Sequence, residues 1–243
     1  MRAIAILFVV LLAACSGPQS QGLADRPPGL SVAQAALTGG ASAVALRICS
    51  DTVQRQPKNL AARVCEGEAL TALGQRTDAE ASFERAQQMA PDDPGVLMGL
   101  GRLRLATDAL AAEGLFQHVL KVAPNNPEAW NDIGIARDLQ GRHQEAQEAY
   151  GRALGLEPSM RAAEVNLALS MAMSGHADEA VRRLRSIAAD PSASPRLRQN
   201  LAAALAMADK PDEAAKLLRG DLSAEEIDQA IAGYHALSEA PAK

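Results

Sequence analysis

Residues Pro127–Pro158 read PEAWNDIGIARDLQGRHQEAQEAYGRALGLEP, and the fold can be worked outward from them. Apolar and small residues recur at helical spacing on both sides of Gly141: Trp130, Ile133 and Gly134 before it, Ala146, Tyr150 and Ala153 after it. Two helices joined by a tight glycine turn account for the pattern, and Pro158 closes the second helix. Gly134 and Ala146 are small enough for two helix backbones to approach closely. Trp130 and Tyr150 supply the bulk around that crossing.

The stretch is one beat of a longer rhythm. Pro57, Pro91, Pro124, Pro158 and Pro191 are separated by 34, 33, 34 and 33 residues, and Gly40, Gly74, Gly141 and Gly175 by 34, 67 and 34. With this period, the stretch resembles the tetratricopeptide repeat, a stack of helix–turn–helix units. Arg137 departs from the pattern, standing where the repeat usually has an aromatic, so part of this interior is expected from a neighbour. The resemblance implies an all-α solenoid of about six helix hairpins over residues 30–220, with a C-terminal capping helix and tail over 221–243. The repeats run approximately 26–59, 60–93, 94–126, 127–160, 161–194 and 195–220. Pro27 and Pro28 shorten the first helix of repeat 1, and Thr107-Asp108 replaces the turn glycine in repeat 3, one residue short. Repeat 6 turns through Asp209-Lys210-Pro211, with proline at a tolerated helix start. Ser223 and Glu226 form a capping box for the last helix. A terminal cover is needed because each repeat buries its apolar face only against the next. Phe83, Phe116 and Tyr150 share one repeat position, which marks them as core; of the other aromatics beyond residue 14, Trp130 fills a second position and Tyr234 stands apart.

The N-terminus carries a different message. Arg2 precedes a hydrophobic run from Ala3 to Ala14. That run is too short for a membrane span, which takes about 20 residues, and suits a signal core over residues 1–14. Leu12-Ala13-Ala14-Cys15 resembles the lipobox of bacterial lipoproteins. The resemblance implies a lipidated Cys15 at the new N-terminus, a flexible tether over 15–29, and, with Ser16 following, an anchor in the outer membrane facing the periplasm. Such a compartment permits a disulfide between the two remaining cysteines, Cys49 and Cys65, on neighbouring helices. Two buried free thiols fit those positions as well.

Chemistry-bearing motifs are scarce. A net charge of −5 leaves no basic stripe for phosphates, so nucleic acid is not an expected partner. No glycine-rich loop ends in lysine and no serine sits in a Gly-x-Ser-x-Gly turn. HQEAQEA, from His143, lacks the second histidine of a zinc-protease helix. His118, His143, His176 and His235 are far apart and read as surface side chains. No catalytic residue, metal site, cofactor or small-molecule substrate is expected.

What remains is a surface for another polypeptide. Counted along the repeats, the first helices point Met98, Arg102, Leu105, Asn131, Ile135, Leu139, Val165, Leu169, Met173, Gln199 and Met207 inward. Ile133, Leu167 and Leu201 already supply the core, so this second apolar face, Ile135 and Leu169 included, is left for an amphipathic helix or an extended apolar peptide. Asn166 and Asn200 share a repeat position; in related superhelical proteins that asparagine holds a peptide backbone, and a local hydrogen bond is the alternative. No lysine lies on these helices to grip a terminal carboxylate. The tail RQNLAAALAMADKPDEAAKLLRGDLSAEEIDQAIAGYHAL resembles the C-terminal region of the TadD lipoproteins of tight-adherence (Flp) pilus systems. That resemblance implies a pilotin-like role, with a secretin subunit or another pilus-assembly component as partner. A general outer-membrane adaptor or chaperone for cell-envelope enzymes is the alternative the repeats also allow.

Overall fold

The computed structural model describes residues 28–189 and 194–238, which hold thirteen helices and no strand. Six hairpins follow in order: α1 (Pro28–Thr38) with α2 (Ser42–Arg55), α3 (Leu60–Ala72) with α4 (Arg76–Met89), α5 (Pro94–Arg104) with α6 (Ala109–Val122), α7 (Pro127–Leu139) with α8 (His143–Leu156), α9 (Arg161–Met173) with α10 (Ala177–Ala188), and α11 (Pro195–Met207) with α12 (Pro211–Leu218). One more helix, α13 (Ala224–Ser238), is the last among the described residues. The fold is an all-helical tetratricopeptide-repeat solenoid. Pro191, the signal core, Cys15 and the proposed tether up to residue 27 lie outside the described residues.

Local chemistry explains where helices begin and turn. Asn59, Asp93, Asp108 and Asn126 each accept a hydrogen bond from the backbone N–H three residues on, at 3.0, 3.0, 2.9 and 2.8 Å. Each such cap is worth about 1 kcal/mol. Inside the hairpins, Gly40, Gly74, Gly141 and Gly175 turn with φ of 77°, 73°, 76° and 88°, a region L-residues avoid. Asp209 holds the same position in repeat 6 with φ 57°, the one positive φ outside glycine among the described residues. In repeat 3 the shorter turn is rebuilt by Asp108 as cap of α6 and by Arg76, whose Nη2 donates to Thr107 Oγ1 at 2.7 Å. The capping box of α13 is formed: Ser223 N–H donates to Glu226 Oε2 at 2.8 Å, and Glu226 N–H to Ser223 Oγ at 3.4 Å.

The helices form two compact units, divided in sequence between Ala129 and Trp130. In the N-terminal unit, Phe83 is buried against glycines: a Cβ at Gly99 would lie 2.2 Å from its Cε1, and one at Gly67 2.8 Å from its Cζ. Phe116 sits over Gly101 in the same way, with 2.3 Å to its Cε1. Repeat 1 has cysteine at the aromatic position. Cys49 of α2 is bonded to Cys65 of α3, with Cα atoms 5.9 Å apart, inside a core of Leu30, Ala33, Ala45, Ala62 and Ala69. The covalent bridge thus holds in repeat 1 the position that a ring packed on glycine holds in repeats 2 and 3.

In the C-terminal unit, Tyr150 of α8 is fully buried over Gly134 of α7, where a Cβ would lie 2.4 Å from Cε1. Trp130 does not share that burial. It is half-buried, with the Arg152 guanidinium 4.9 Å from its ring centroid, so Tyr150 rather than Trp130 fills the crossing. Arg137, at the repeat's aromatic position, turns outward to donate to the Glu145 carbonyl at 3.1 Å. α9 to α12 continue the stack through Leu169, Val181, Leu184, Leu201, Leu205 and Leu218, and α13 closes it with Ile227 and Tyr234.

Candidate functional site

The first helices of the repeats carry the residues expected to face a partner. In the N-terminal unit, Met98 and Leu105 are buried and Arg102 is half-buried. In the C-terminal unit, Asn131, Ile135, Val165, Asn166, Leu169 and Asn200 are buried within the chain's own packing. Ile135 and Leu169 are only 2% and 5% exposed, so a charge there would disrupt the fold before it tested any partner. Leu139, Met173, Gln199 and Met207 are half-buried. Leu139, Met173 and Met207 share one repeat position, each the last residue of its helix, which makes an accessible apolar row on α7, α9 and α11.

Beside that row runs a line of buried amides. Asn166 Nδ2 donates to Asn131 Oδ1 at 3.0 Å, and Asn131 Nδ2 donates to Asp132 Oδ1 at 3.1 Å. The local bond therefore accounts for Asn166. Asn200, one repeat on, is different: its Oδ1 is buried and accepts from no donor among the described residues. Such a group costs about 1–3 kcal/mol until something donates to it.

A polar cluster that the sequence reading did not single out ties α7, α8 and α9 together. Asp138 has a side chain 1% exposed. Its Oδ2 accepts from the Tyr150 hydroxyl at 2.9 Å, and its Oδ1 accepts from Ser170 Oγ at 2.7 Å and lies 2.8 Å from His143 Nδ1. Burial pushes the Asp138 carboxyl above its ordinary range, and the three hydrogen bonds pull partly the other way. Burial likewise pushes the Tyr150 phenol well up, with the Asp138 charge adding to it. His143 is thus part of an interior network rather than a simple surface side chain. One signal was available: a tyrosine at the position of Phe83 and Phe116 brings a hydroxyl into the core, which then needs an acceptor. Ser170 Oγ bonds the carboxylate rather than the imidazole, so the cluster lacks the order of a nucleophile activated by a base.

The N-terminal unit has a counterpart around its disulfide. Glu66 accepts from Ser50 Oγ and Ser82 Oγ, each at 2.9 Å, and so links α2, α3 and α4. Arg63 donates through Nη2 to the Pro57 carbonyl at 3.2 Å. Among the described residues no group of His, Cys, Asp and Glu could hold a metal ion, and no helix is long and apolar enough to cross a membrane. Both units tie neighbouring helices together through buried or part-buried polar groups.

Comparison with known proteins agrees with the fold. Residues 70–131 and 115–148 match two family models described as tetratricopeptide repeat. The chain is 38% identical over 95 residues to the peroxisomal targeting signal receptor of Kluyveromyces lactis, covering 39% of this chain and 17% of that protein. It is 40% identical over 93 residues to the receptor of the same name from Candida glabrata, covering 38% and 16%. It therefore spans about one sixth of the length of these curated relatives. Among solved structures, a tetratricopeptide repeat protein from Parabacteroides merdae superposes with TM-score 0.68 at 15% identity, covering 85% of this chain and 83% of that one. PilW, a widely conserved type IV pilus biogenesis factor, superposes with TM-score 0.68 at 20% identity, covering 84% and 96%.

Proposed function

We propose that this chain is a lipid-anchored, protein-binding scaffold of the bacterial cell envelope that captures a secretin subunit or another component during pilus assembly, in the manner of TadD lipoproteins. The observation that carries the reading is the accessible row of Leu139, Met173 and Met207 beside buried amides, a surface chemistry suited to an apolar polypeptide segment. The likeness to PilW supports a place in pilus biogenesis, and the likeness to targeting-signal receptors supports recognition of a short segment. Neither matched family model is that of an enzyme.

Lipidation of Cys15 gives the scaffold its address at the inner face of the outer membrane. Each buried acyl methylene contributes about 0.8 kcal/mol, so several chains hold firmly where one is marginal. A tethered receptor raises the effective concentration of its cargo beside the membrane, and modest affinity then suffices.

Cys15→Ser, expressed at the native level, tests the anchor: secretin multimers in the outer membrane should fall several-fold, and normal multimers would overturn the reading. Met173→Asp tests the surface, since its half-buried side chain leaves the core intact. Co-purification from native membranes should then lose secretin or pilus components. Recovery of amidases or transglycosylases instead would assign a general envelope adaptor.

A further inference from the structure

The last helix does more than end the stack. Tyr234 lies 34 residues after Asn200, so α13 stands where the first helix of a seventh repeat would be, with a buried ring in place of the amide. Like such a helix it packs on α11 and α12. It also reaches α9, whereas α11 packs on α9, and α3 on α1, only one repeat back. Its apolar residues form one stripe: Ile227 and Tyr234 are buried, and Ala230 and Ile231 are partly buried between them. Val165 and Leu169 of α9, two of the residues expected to face a partner, belong to the same core cluster. The other face, with Glu225, Glu226 and Asp228, is exposed.

The seat is light compared with that of α11. α11 buries eight residues, while over residues 224–236 α13 buries two, Ile227 and Tyr234. A five-residue connection, Arg219–Ser223, precedes α13, and the Arg198 guanidinium holds Asp221 there at 3.1 Å on both carboxylate oxygens. Asn200, on the helix that α13 covers, still has a buried oxygen that no donor among the described residues reaches.

We infer that α13 is a displaceable resident of the α9–α11 wall, and that the partner segment is an amphipathic helix with an aliphatic–aliphatic–aromatic stripe at i, i+4 and i+7 that takes its place. This rests on the proposed role of that wall in protein binding and names the chemistry of the segment it receives. The occupant is specified by the helix already seated there. A side-chain donor on the incoming helix would satisfy Asn200 and favour exchange. With α13 in place the stretch of wall beneath it is closed, while Leu139, Met173 and Met207 stay half-buried at the helix ends. Apparent affinity for a segment that needs the covered stretch is therefore reduced by the fraction of molecules in which it is open.

The test uses the full chain and a fluorescent peptide of residues 222–238 as probe. Wild-type protein should bind the peptide weakly. The Ile227→Ala/Tyr234→Ala protein should bind it at least 10-fold more tightly, as should Asp221→Ala, which loosens the connection and leaves the stripe untouched. Hydrogen exchange on the wild type should show α13 amides opening at least 10-fold faster than those of α11. Equal peptide affinity in wild type and a folded Asp221→Ala protein would overturn the inference, as would α13 and α11 exchanging together. Native partner captured equally by wild type and Asp221→Ala would leave the scaffold reading standing and sink the exchange. Peptide exchange with no pilus component captured would do the reverse.

Discussion

Cys49 in the N-terminal unit and Tyr150 in the C-terminal unit occupy the same repeat position, and they secure their helices by unlike means. Cys49 is bonded to Cys65 on the following helix, and the covalent link replaces the bulk of a ring. Tyr150 lies on Gly134 with no room for a Cβ, and its hydroxyl donates to a buried carboxylate. The repeat therefore dictates where helices must be joined, and leaves open whether sulfur or a packed ring does it. One consequence is that repeat 1 depends on redox conditions, while the crossing of α7 and α8 depends on shape and on the protonation of Asp138.

The largest effect should come from removing the ring. Tyr150→Ala is expected to destabilise the protein by about 3–5 kcal/mol, as a fully buried aromatic truncated in a site that cannot collapse. Denaturant unfolding followed by circular dichroism measures it, and a loss below about 1 kcal/mol would mean that the crossing is held elsewhere. Tyr150→Phe keeps the packing and isolates the hydroxyl, with an expected cost of about 1–3 kcal/mol for the acceptor left unpaired.

Next in size is the bridge. Replacing Cys49 and Cys65 together by serine opens a loop of 16 residues, for which the chain-entropy account gives about 3 kcal/mol. Hydrogen exchange should rise in α2 and α3 and remain unchanged in α7 and α8. A uniform rise would erase the contrast between the two crossings.

Much of this was legible in the sequence, because the features that set the fold repeat. Glycine at Gly40, Gly74, Gly141 and Gly175 announced the positive-φ turns, and the period placed Asp209 among them. Phe83, Phe116 and Tyr150 announced a row of buried rings. Three things were not legible. Trp130 matches the repeat's pattern yet is half-buried, because a pattern specifies a position and the neighbours decide how far it is covered. The inward rows of Ile135 and Leu169 looked free because periodicity shows which residues share a face and is silent on what lies over it. The contact of α13 with α9 depends on the path of a short connection, for which Tyr234 in an amide's position was a single faint sign. The bridge sat between these cases: spacing brought Cys49 and Cys65 to adjacent helices, and only their geometry distinguished a disulfide from two buried thiols.

The smallest effect is the most specific to the tyrosine crossing. Burial raises the Asp138 carboxyl above its ordinary range, so folding favours its protonated form. That contribution is fully present below about pH 3.8, where folded and unfolded chains both hold the proton. It is lost as pH rises, because the unfolded chain then ionises at no cost while the folded one resists until its raised value is passed. Asp138→Asn cannot ionise. It keeps one acceptor oxygen for Tyr150 or Ser170 and loses the second, a pH-independent offset of about 1 kcal/mol. Melting temperatures of the two proteins compared from pH 4 to pH 7 should therefore differ most in wild type's favour at the acid end and converge, or cross, toward neutral. Glu145, Asp178 and Glu226, held below their usual range by hydrogen bonds from Arg142, Lys210 and Ser223, titrate in both proteins and cancel in the comparison. A difference that stayed flat with pH would place the Asp138 carboxylate in contact with water and detach the Tyr150 crossing from any dependence on protonation.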